Sequence, residues 1–197
     1  MGRTPSLGGQ QPSLSVPGRA LGHRPSGARN APVPGRRGEH PATRLRLSAD
    51  LGGGWRPGYQ GRQWDSSSHR TSAELRALSG VVPALAPTAA KDVSMAGLVG
   101  TAGMLAEASG CRAIIDVAAV PTPEAAATAD WFTCFPGFAM LTAEEPGRAA
   151  TPAGLPGFVS SAVCGELVAG TGVGLRWPDG TVTDAIDHTV TGLGPAT

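Results

Sequence analysis

Four residues between Lys91 and Gly97 have the types and the spacing of a turn that binds an anion. Lys91, Asp92, Ser94 and Gly97 directly precede an apolar run with helical periodicity. The first N–H groups of a helix lack partners within the helix, and the helix dipole favours negative charge at that end. A phosphate could therefore bind here, with Lys91 as its counter-charge and Asp92 beside an accompanying magnesium ion. The alternative is that Asp92 or Ser94 caps the helix and Lys91 is a solvated turn residue.

Three other polar clusters carry less specific signals. Residues 64–69 hold Asp, Ser and His together, but a catalytic triad assembles from separate elements, so a polar turn before a helix is the better interpretation. The glycine-rich run at 170–174 precedes no predicted helix and is weak as a nucleotide-binding motif. His188 follows Asp184 and Asp187, which is more typical of a polar strand end than of a metal site. The sequence therefore predicts no catalytic and no metal-binding residue.

The three cysteines, Cys111, Cys134 and Cys164, are widely spaced and form no Cys-x-x-Cys or Cys/His ligand pattern. Each lies in apolar surroundings, where a free cysteine behaves as a small hydrophobic residue. An odd number of such thiols fits a reducing compartment, so we expect a cytoplasmic protein. We expect no membrane partner, because Glu107 interrupts the longest apolar run before it reaches the roughly 18 residues of a membrane span.

The helix that follows the turn carries one apolar face and three regularly spaced glycines. Gly97, Gly100 and Gly103 recur at every third position. Each glycine in a helix interior is about 1 kcal/mol less favourable than alanine. The spacing therefore indicates a close approach, either of a neighbouring backbone or of a bound ligand. Gly110 stands where a left-handed residue ends a helix. The predicted buried face comprises Met95, Leu98, Val99, Ala102, Leu105 and Ala106.

Strand and helix patterns alternate along the chain and predict an α/β domain, an α+β layered sheet with packed helices. Residues 45–51 alternate apolar and polar, as a half-buried strand does, and Thr71 with Glu74 forms a capping box that opens a helix. Residues 81–90 are apolar but interrupted by prolines, so we expect them to form a short segment that packs against the rest of the domain. Another helix is predicted from Thr122 to about residue 132. Further strands are predicted at 112–117, 138–143 and 158–167, with a hairpin at 175–183 that turns on Asp179-Gly180.

Charge divides the chain unevenly. The first 62 residues contain ten arginines and two acidic residues. Because the whole chain has a net charge of only +1, the remaining residues carry a net negative charge. Residues 1–47 are rich in Arg, Gly, Pro and Ser and lack apolar periodicity, which predicts a disordered tail. No aromatic residue lies among the arginines of this tail, so a solvated tail is a better interpretation than a nucleic-acid-binding one. We expect a linker with a lead-in strand and loop at 48–70, and a folded domain at 71–197.

The stretch from Lys91 to Val117 resembles the start of a known domain. Its Asp-x-Ser-x-x-Gly-Leu turn, the helix that ends at Gly110 and the strand with Ile115-Asp116 resemble the opening of the C-terminal domain in the AIR synthase (PurM-like) superfamily. Residues 134–146 and 163–167 are similar to later parts of that domain. The resemblance therefore implies the fold of this domain over about residues 55–192.

Two short motifs refine the resemblance. The Trp64-Asp65-Ser66 lead-in and the Met95-Ala96 pair are most similar to AIR synthase-related proteins of nitrogen-starvation gene clusters. Better-known members have Asp-Gly or Arg-Gly where this chain has Met95-Ala96. Their substrate contacts are therefore not transferred to this chain.

The resemblance implies a part of an ATP- and magnesium-dependent enzyme of the ligase or kinase type. In the superfamily, an N-terminal domain supplies most of the ATP and magnesium site and the dimer interface, and the sequence before Leu45 does not resemble that domain. We therefore expect a truncated protein, a fragment or component that is inactive alone and binds no cofactor by itself. Its partners would be an N-terminal domain in another chain, or a second copy, together with a small phosphorylated ligand.

Two alternatives stay open at the level of sequence. The chain could be a non-catalytic module that binds a ligand or a partner through the surface that the N-terminal domain would cover. The first forty or so residues could also be read from a wrong start or reading frame, because their composition is typical of an alternative frame of G+C-rich DNA.

Overall fold

The structure is a computed structural model, and it describes residues 42–58, 62–148 and 152–195. Most of the predicted tail, residues 1–41, lies outside the described residues. The expected boundary at residue 47 falls inside a strand that begins at Thr43 and runs through the middle of the sheet. The expected linker at 48–70 contains Trp64, which is buried in the main core. Residues 43–47 and the described part of the expected linker therefore belong to the folded domain.

The described residues form four α-helices and nine β-strands. The helices are α1 (Ser72–Leu78), α2 (Val81–Leu85), α3 (Gly97–Ala108) and α4 (Thr128–Thr133). The strands are β1 (Thr43–Asp50), β2 (Gly54–Trp55), β3 (Trp64–Asp65), β4 (Ala89–Asp92), β5 (Arg112–Asp116), β6 (Ala139–Glu144), β7 (Val159–Val168), β8 (Val173–Arg176) and β9 (Val182–Ile186). Among these described helices, none combines the length and the hydropathy needed to cross a membrane.

Seven strands form one mixed sheet in the order β4-β6-β1-β7-β5-β8-β9. All neighbours are antiparallel except β5 and β8, which are parallel. This pairing makes β1, β4, β5 and β8 run in the same direction, so their carboxyl ends point toward the same end of the sheet. A mixed sheet with few helices confirms the predicted α+β layered fold, and β5, β6, β7 and the β8–β9 hairpin confirm the later predicted strands.

α3 packs on one face of the sheet and builds the main apolar core. Leu98 and Ala102 of α3 are buried together with Leu45 and Leu47 of β1. Gly110 has φ 64°, the left-handed conformation expected at the end of this helix. The prediction for Met95 is wrong: its residue is 70% exposed, because α3 begins only at Gly97 and Met95 lies in the preceding turn.

The other face of β1 is also buried, but its residues are polar. Arg46, Ser48 and Asp50 have no exposed surface. The Arg46 guanidinium donates to both carboxylate oxygens of Glu144 on β6, at 3.1 and 3.0 Å. Arg70 donates to both oxygens of Asp50 at 2.7 Å. The alternation in β1 therefore predicts the strand but not its burial, because paired charges take the place of solvent on the second face.

The segment before β4 begins with the predicted capping box. The Thr71 hydroxyl accepts a hydrogen bond from the Glu74 N–H at 3.3 Å, and the Glu74 carboxylate accepts one from the Thr71 N–H at 2.8 Å. α2 then ends at Leu85, and its C-cap residue, Ala86, adopts a left-handed conformation with φ 42°. β4 begins in the segment 81–90, which was expected only to be short and packed, and extends over Lys91 and Asp92, which were expected in a turn. The sequence pattern missed it as a strand because Lys91 and Asp92 interrupt its apolar character.

The helix predicted from Thr122 is shorter than expected. α4 begins after Ala127, and the hydroxyl of Thr122 donates to the carbonyl of Val120 at 3.0 Å instead of capping a helix. The indole N–H of Trp131, in α4, donates to the carbonyl of Pro121 at 2.9 Å. This bond fastens the short helix to the segment that was expected to be its first turn.

Candidate functional site

The four residues that were expected to bind an anion span the end of β4, the following turn and the start of α3. Lys91 and Asp92 end β4 and pair opposite Leu141 and Met140 of β6. Leu141 lies in the core beneath α3, so Lys91 lies on the α3 face of the sheet. Successive strand residues point to opposite faces, and Asp92 is therefore exposed on the other face. The structure does not bring the Lys91 ammonium and the Asp92 carboxylate together on one face.

No side chain caps the start of α3. Its N-cap residue is Ala96, and no side chain hydrogen-bonds the first turn, so the interpretation of Asp92 or Ser94 as the cap is wrong. Ser94 contributes its carbonyl instead, which accepts a bond from the Gly97 N–H at 2.9 Å. The first turn also contains no acidic residue. The positive end of this helix dipole is therefore not balanced by a side-chain cap or a first-turn carboxylate.

The glycines of α3 are explained by close packing. Gly97 has φ 64°, and a Cβ added there would lie 2.7 Å from the Phe132 carbonyl oxygen and from backbone atoms of Thr133. At Gly103, a Cβ would meet the side chain of Val190. The spacing left open whether a neighbouring chain segment or a bound ligand approaches the helix. A neighbouring chain segment accounts for both Gly97 and Gly103.

A second charged group lies at the carboxyl ends of the parallel strands β5 and β8. Asp116 and Arg176 are register partners, and Nη1 of Arg176 donates to Oδ1 of Asp116 at 2.9 Å. Nη2 of the same guanidinium donates to Oε1 of Glu166 on β7. The bond to Glu166 contributes most to raising the pKa of Arg176; burial opposes this rise, and the charges of both carboxylates add to it. One guanidinium thus faces two carboxylates, which leaves the group with a net negative charge.

This charged group borders a shallow depression in the surface. The side chains of Arg176 and Asp116 are 35% and 36% exposed. The indole N–H of Trp177 donates to the Thr183 hydroxyl at 2.9 Å, which restrains the orientation of the ring. The lining consists of Asp116, Ala118, Ala119, Arg176, Trp177 and Pro178. Sequence reasoning treated Asp116 and Glu166 only as family markers and missed Arg176, because no local motif links residues this far apart.

The polar turn at 64–69 has the structure that its sequence predicted. The Asp65 carboxylate accepts a bond from the Ser68 N–H at 3.1 Å and another from the Ser68 hydroxyl at 2.6 Å. Both bonds lower the pKa of Asp65, and the bond from the hydroxyl contributes most. A short 3-10 turn follows at Ser67–His69, directly before α1.

The two remaining clusters make hydrogen bonds within the chain. His188 hydrogen-bonds the exposed Asp187 at 2.7 Å, and the described part of the chain contains no group of three or more His, Cys, Asp or Glu side chains placed to hold a metal ion. Gly172, with φ 84°, brings the glycine-rich run against the backbone of Ile186. Its carbonyl also accepts a bond from the Ala113 N–H at 3.0 Å. The glycine-rich run is therefore the loop between β7 and β8, and it packs against the backbone of neighbouring strands.

The cysteines are free thiols with a low tendency to ionise. Burial raises the pKa of Cys134 to about 11 and that of Cys164 to about 12. Burial also raises the pKa of Cys111. Because the thiolate is the nucleophilic form, none of these cysteines suits nucleophilic catalysis at neutral pH.

Comparison with known sequences points to one family. Residues 57–178 match the family described as AIR synthase related protein, C-terminal domain. An uncharacterized protein of Synechocystis is 36% identical over 87 residues, which are 42% of this chain and 27% of that protein. The chain thus spans about a quarter of the length of this relative.

Comparison with solved structures shows the same fold. PurL of Thermotoga maritima, complexed with FGAR, has a TM-score of 0.57 at 11% identity, with 75% of this chain and 27% of PurL covered. The HypE-HypF complex has a TM-score of 0.50 at 13% identity, with 75% of this chain and 53% of the matched chain covered. In both cases, the domain is one part of a longer chain.

Proposed function

The chain belongs to the family of AIR synthase related proteins, of which it carries the C-terminal domain, and we propose that it is one component of an ATP-dependent enzyme of the ligase or kinase type. Alone, it binds a small phosphate-bearing ligand and does not turn over ATP. An N-terminal domain, in another chain or in the complete gene product, supplies the rest of the active site. The free thiols fit a cytoplasmic location for this component.

The observation that carries this proposal is the share of each relative that the chain covers. Its match is confined to a C-terminal domain, and it spans 27% of the Synechocystis relative and 27% of PurL. PurL, complexed with FGAR, and HypE, complexed with HypF, both contain this domain beside other parts. These proteins support a role for the domain within a larger assembly.

The turn between β4 and α3 is the part of the chain that we propose for the ligand. The first turn of α3 has no side-chain cap and no acidic residue, which favours an anion there. Lys91 lies on the α3 side of the sheet, where its charge can approach a phosphate. Met95, at 70% exposure in the same turn, offers apolar surface to the completing domain.

The described residues do not fit a complete magnesium site. Magnesium prefers six oxygen ligands, several of them water, with one or two carboxylates. Asp92 supplies a single carboxylate next to the proposed turn and lies on the opposite face of the sheet from Lys91. No group of three potential ligands exists among the described residues. Magnesium and the triphosphate of ATP would therefore be held mainly by the completing domain.

Calorimetric titration with ADP and with adenosine tests the proposed ligand turn. The chain should bind ADP at least tenfold more tightly than adenosine, because only ADP carries phosphate. Lys91→Ala should weaken ADP binding at least fivefold, whereas Arg76→Ala, which removes an exposed charge on α1, should not. Equal affinities for ADP and adenosine, or unchanged ADP binding by Lys91→Ala, would argue against this turn as the site.

A further inference from the structure

We propose that the depression at the carboxyl ends of β5 and β8 binds an organic cation, an alkylammonium group carried on a short apolar stem. This site is separate from the turn between β4 and α3 and does not depend on the function proposed for that turn. Asp116, Arg176 and Trp177 are among the residues that line the depression. The charge, the aromatic ring and the walls each select the same class of ligand.

Charge selects a cation. The carboxylates of Asp116 and Glu166 share the single guanidinium of Arg176, so the three groups together carry one excess negative charge. Each carboxylate uses one oxygen in its bond to Arg176. Among the described residues, the second oxygen of Asp116 has no hydrogen-bond partner. That oxygen can accept a bond from an ammonium group, whereas an anion would be repelled.

The aromatic ring selects an organic cation over a small hydrated ion. Trp177 is 40% exposed, and indole is the aromatic group that attracts cations most strongly through its face. The bond from its N–H to the hydroxyl of Thr183 holds the ring in one orientation. Less rotamer entropy is then lost when a ligand stacks on the ring.

The walls select an apolar stem. Ala118 and Ala119 lie in the 3-10 turn that follows β5, and Pro178 follows Trp177 in the turn after β8. Their side chains are short or rigid and carry no polar atoms. A stem of a few methylene groups can lie along them while its charged end reaches Asp116, as the stem of a lysine side chain does on an apolar surface.

NMR titration of the ¹⁵N-labelled full chain tests the proposal. The titrants are n-butylammonium and n-butanol, which share the same stem and differ in charge. The indole N–H signal of Trp177, assigned through Trp177→Phe, reports binding. We expect saturable shifts with n-butylammonium and an affinity at least tenfold higher than that for n-butanol. Equal affinities for the two titrants, or the absence of saturable shifts, would overturn the proposal.

Matched variants locate the site. Asp116→Asn should weaken n-butylammonium binding at least fivefold, and Glu166→Gln provides the same test should Asp116→Asn fail to fold. Asp187→Asn removes an exposed carboxylate at the opposite end of the β8–β9 pair and should bind as the unaltered chain does. Binding that is unchanged in Asp116→Asn or Glu166→Gln would refute the assignment.

A parallel titration with N-acetyl-lysine-N-methylamide separates two sources of the ligand. Tighter binding than that of n-butylammonium identifies a lysine side chain of a partner protein as the natural group. Weaker binding identifies a free small amine. Either result supports the site, whereas the absence of binding by both titrants overturns it.

Discussion

The carboxylate of Glu107, in α3, accepts a hydrogen bond from the backbone N–H of Thr191 at 2.8 Å, across 84 residues of sequence. The hydroxyl of Thr191 donates to the same carboxylate at 2.8 Å, and the N–H groups of Val190 and Gly194 donate at 2.8 and 3.0 Å. Glu107, which in the sequence only interrupts an apolar run, therefore fastens the C-terminal segment to α3.

Replacement of Glu107 should destabilise the domain in a pH-dependent way. Hydrogen bonds to the charged carboxylate lower the pKa of Glu107 from 4.5 to about 2, and the bond from the Thr191 N–H contributes most. A lowered folded-state pKa stabilises the protein above the unfolded-state value, and this contribution is lost as the pH falls toward 2. Glu107→Gln should lower the urea midpoint at pH 7, and its difference from the unaltered chain should shrink between about pH 4.5 and pH 2.

Urea unfolding over this pH range is the measurement. Glu124→Gln, which removes an exposed carboxylate, is the control and should leave the midpoint unchanged at pH 7. A difference between Glu107→Gln and the unaltered chain that stays constant from pH 7 to pH 2 would show that the charged form does not hold the C-terminal segment.

Gly97→Ala should destabilise the domain by about 2–5 kcal/mol. The left-handed conformation is unfavourable for alanine by about 1–2 kcal/mol, and overpacking adds about 1–3 kcal/mol. Both apply at Gly97, because it has φ 64° and an added Cβ would lie 2.7 Å from the Phe132 carbonyl oxygen. Gly180→Ala is the matched control: φ is 84° there, but no atom lies within 4 Å of the added Cβ.

Chemical denaturation of both glycine variants checks this prediction. Gly180→Ala should lose only the conformational part, about 1–2 kcal/mol. Equal losses in the two variants would mean that the contact between α3 and the end of α4 is not as tight as the structure has it.

Ala86→Gly should stabilise the domain by up to about 1 kcal/mol. Ala86 has φ 42°, a conformation that glycine adopts without steric strain, although glycine loses more backbone entropy on folding. The melting temperature should therefore rise by a few degrees. Ala77→Gly, in the exposed part of α1, should have the opposite effect, because glycine disfavours a helix interior. A lower melting temperature for Ala86→Gly would contradict the left-handed assignment.

The buried pair of Arg46 and Glu144 should tolerate joint replacement better than single replacement. Glu144→Leu should destabilise the domain by about 3–5 kcal/mol, because it leaves a buried guanidinium without its carboxylate. The double variant Arg46→Leu/Glu144→Leu should recover part of this loss, since no buried charge remains. Unfolding free energies of the two single variants and the double variant form the test, and strict additivity would contradict it.

The elements that sequence predicts best are those with local signals. The capping box of Thr71 and Glu74, the end of α3 at Gly110 and the Asp179-Gly180 hairpin are each specified by residues within a few positions, and all three are confirmed. The family resemblance at residues 91–117 is also a local pattern, and the match over residues 57–178 confirms it.

What the sequence could not predict depends on distant contacts. β1 has the alternation of a half-buried strand, yet Arg46 and Asp50 are buried because Glu144 and Arg70 pair with them. The assembly of Arg176 with Asp116 likewise requires strand pairing across 60 residues. The proposed anion site could be predicted only in part. The sequence indicates the turn, but only the structure shows that Lys91 and Asp92 lie on opposite faces of the sheet.

Measurement of ATP hydrolysis, with and without the proposed completing domain, tests the central claim most directly. With magnesium, the purified chain alone should show no more hydrolysis than its Lys91→Ala/Asp92→Ala variant. Addition of the part of the Synechocystis relative that lies outside the matched residues should produce turnover, and the same addition to the variant should not. Hydrolysis by the chain alone, well above that of the variant, would contradict the account.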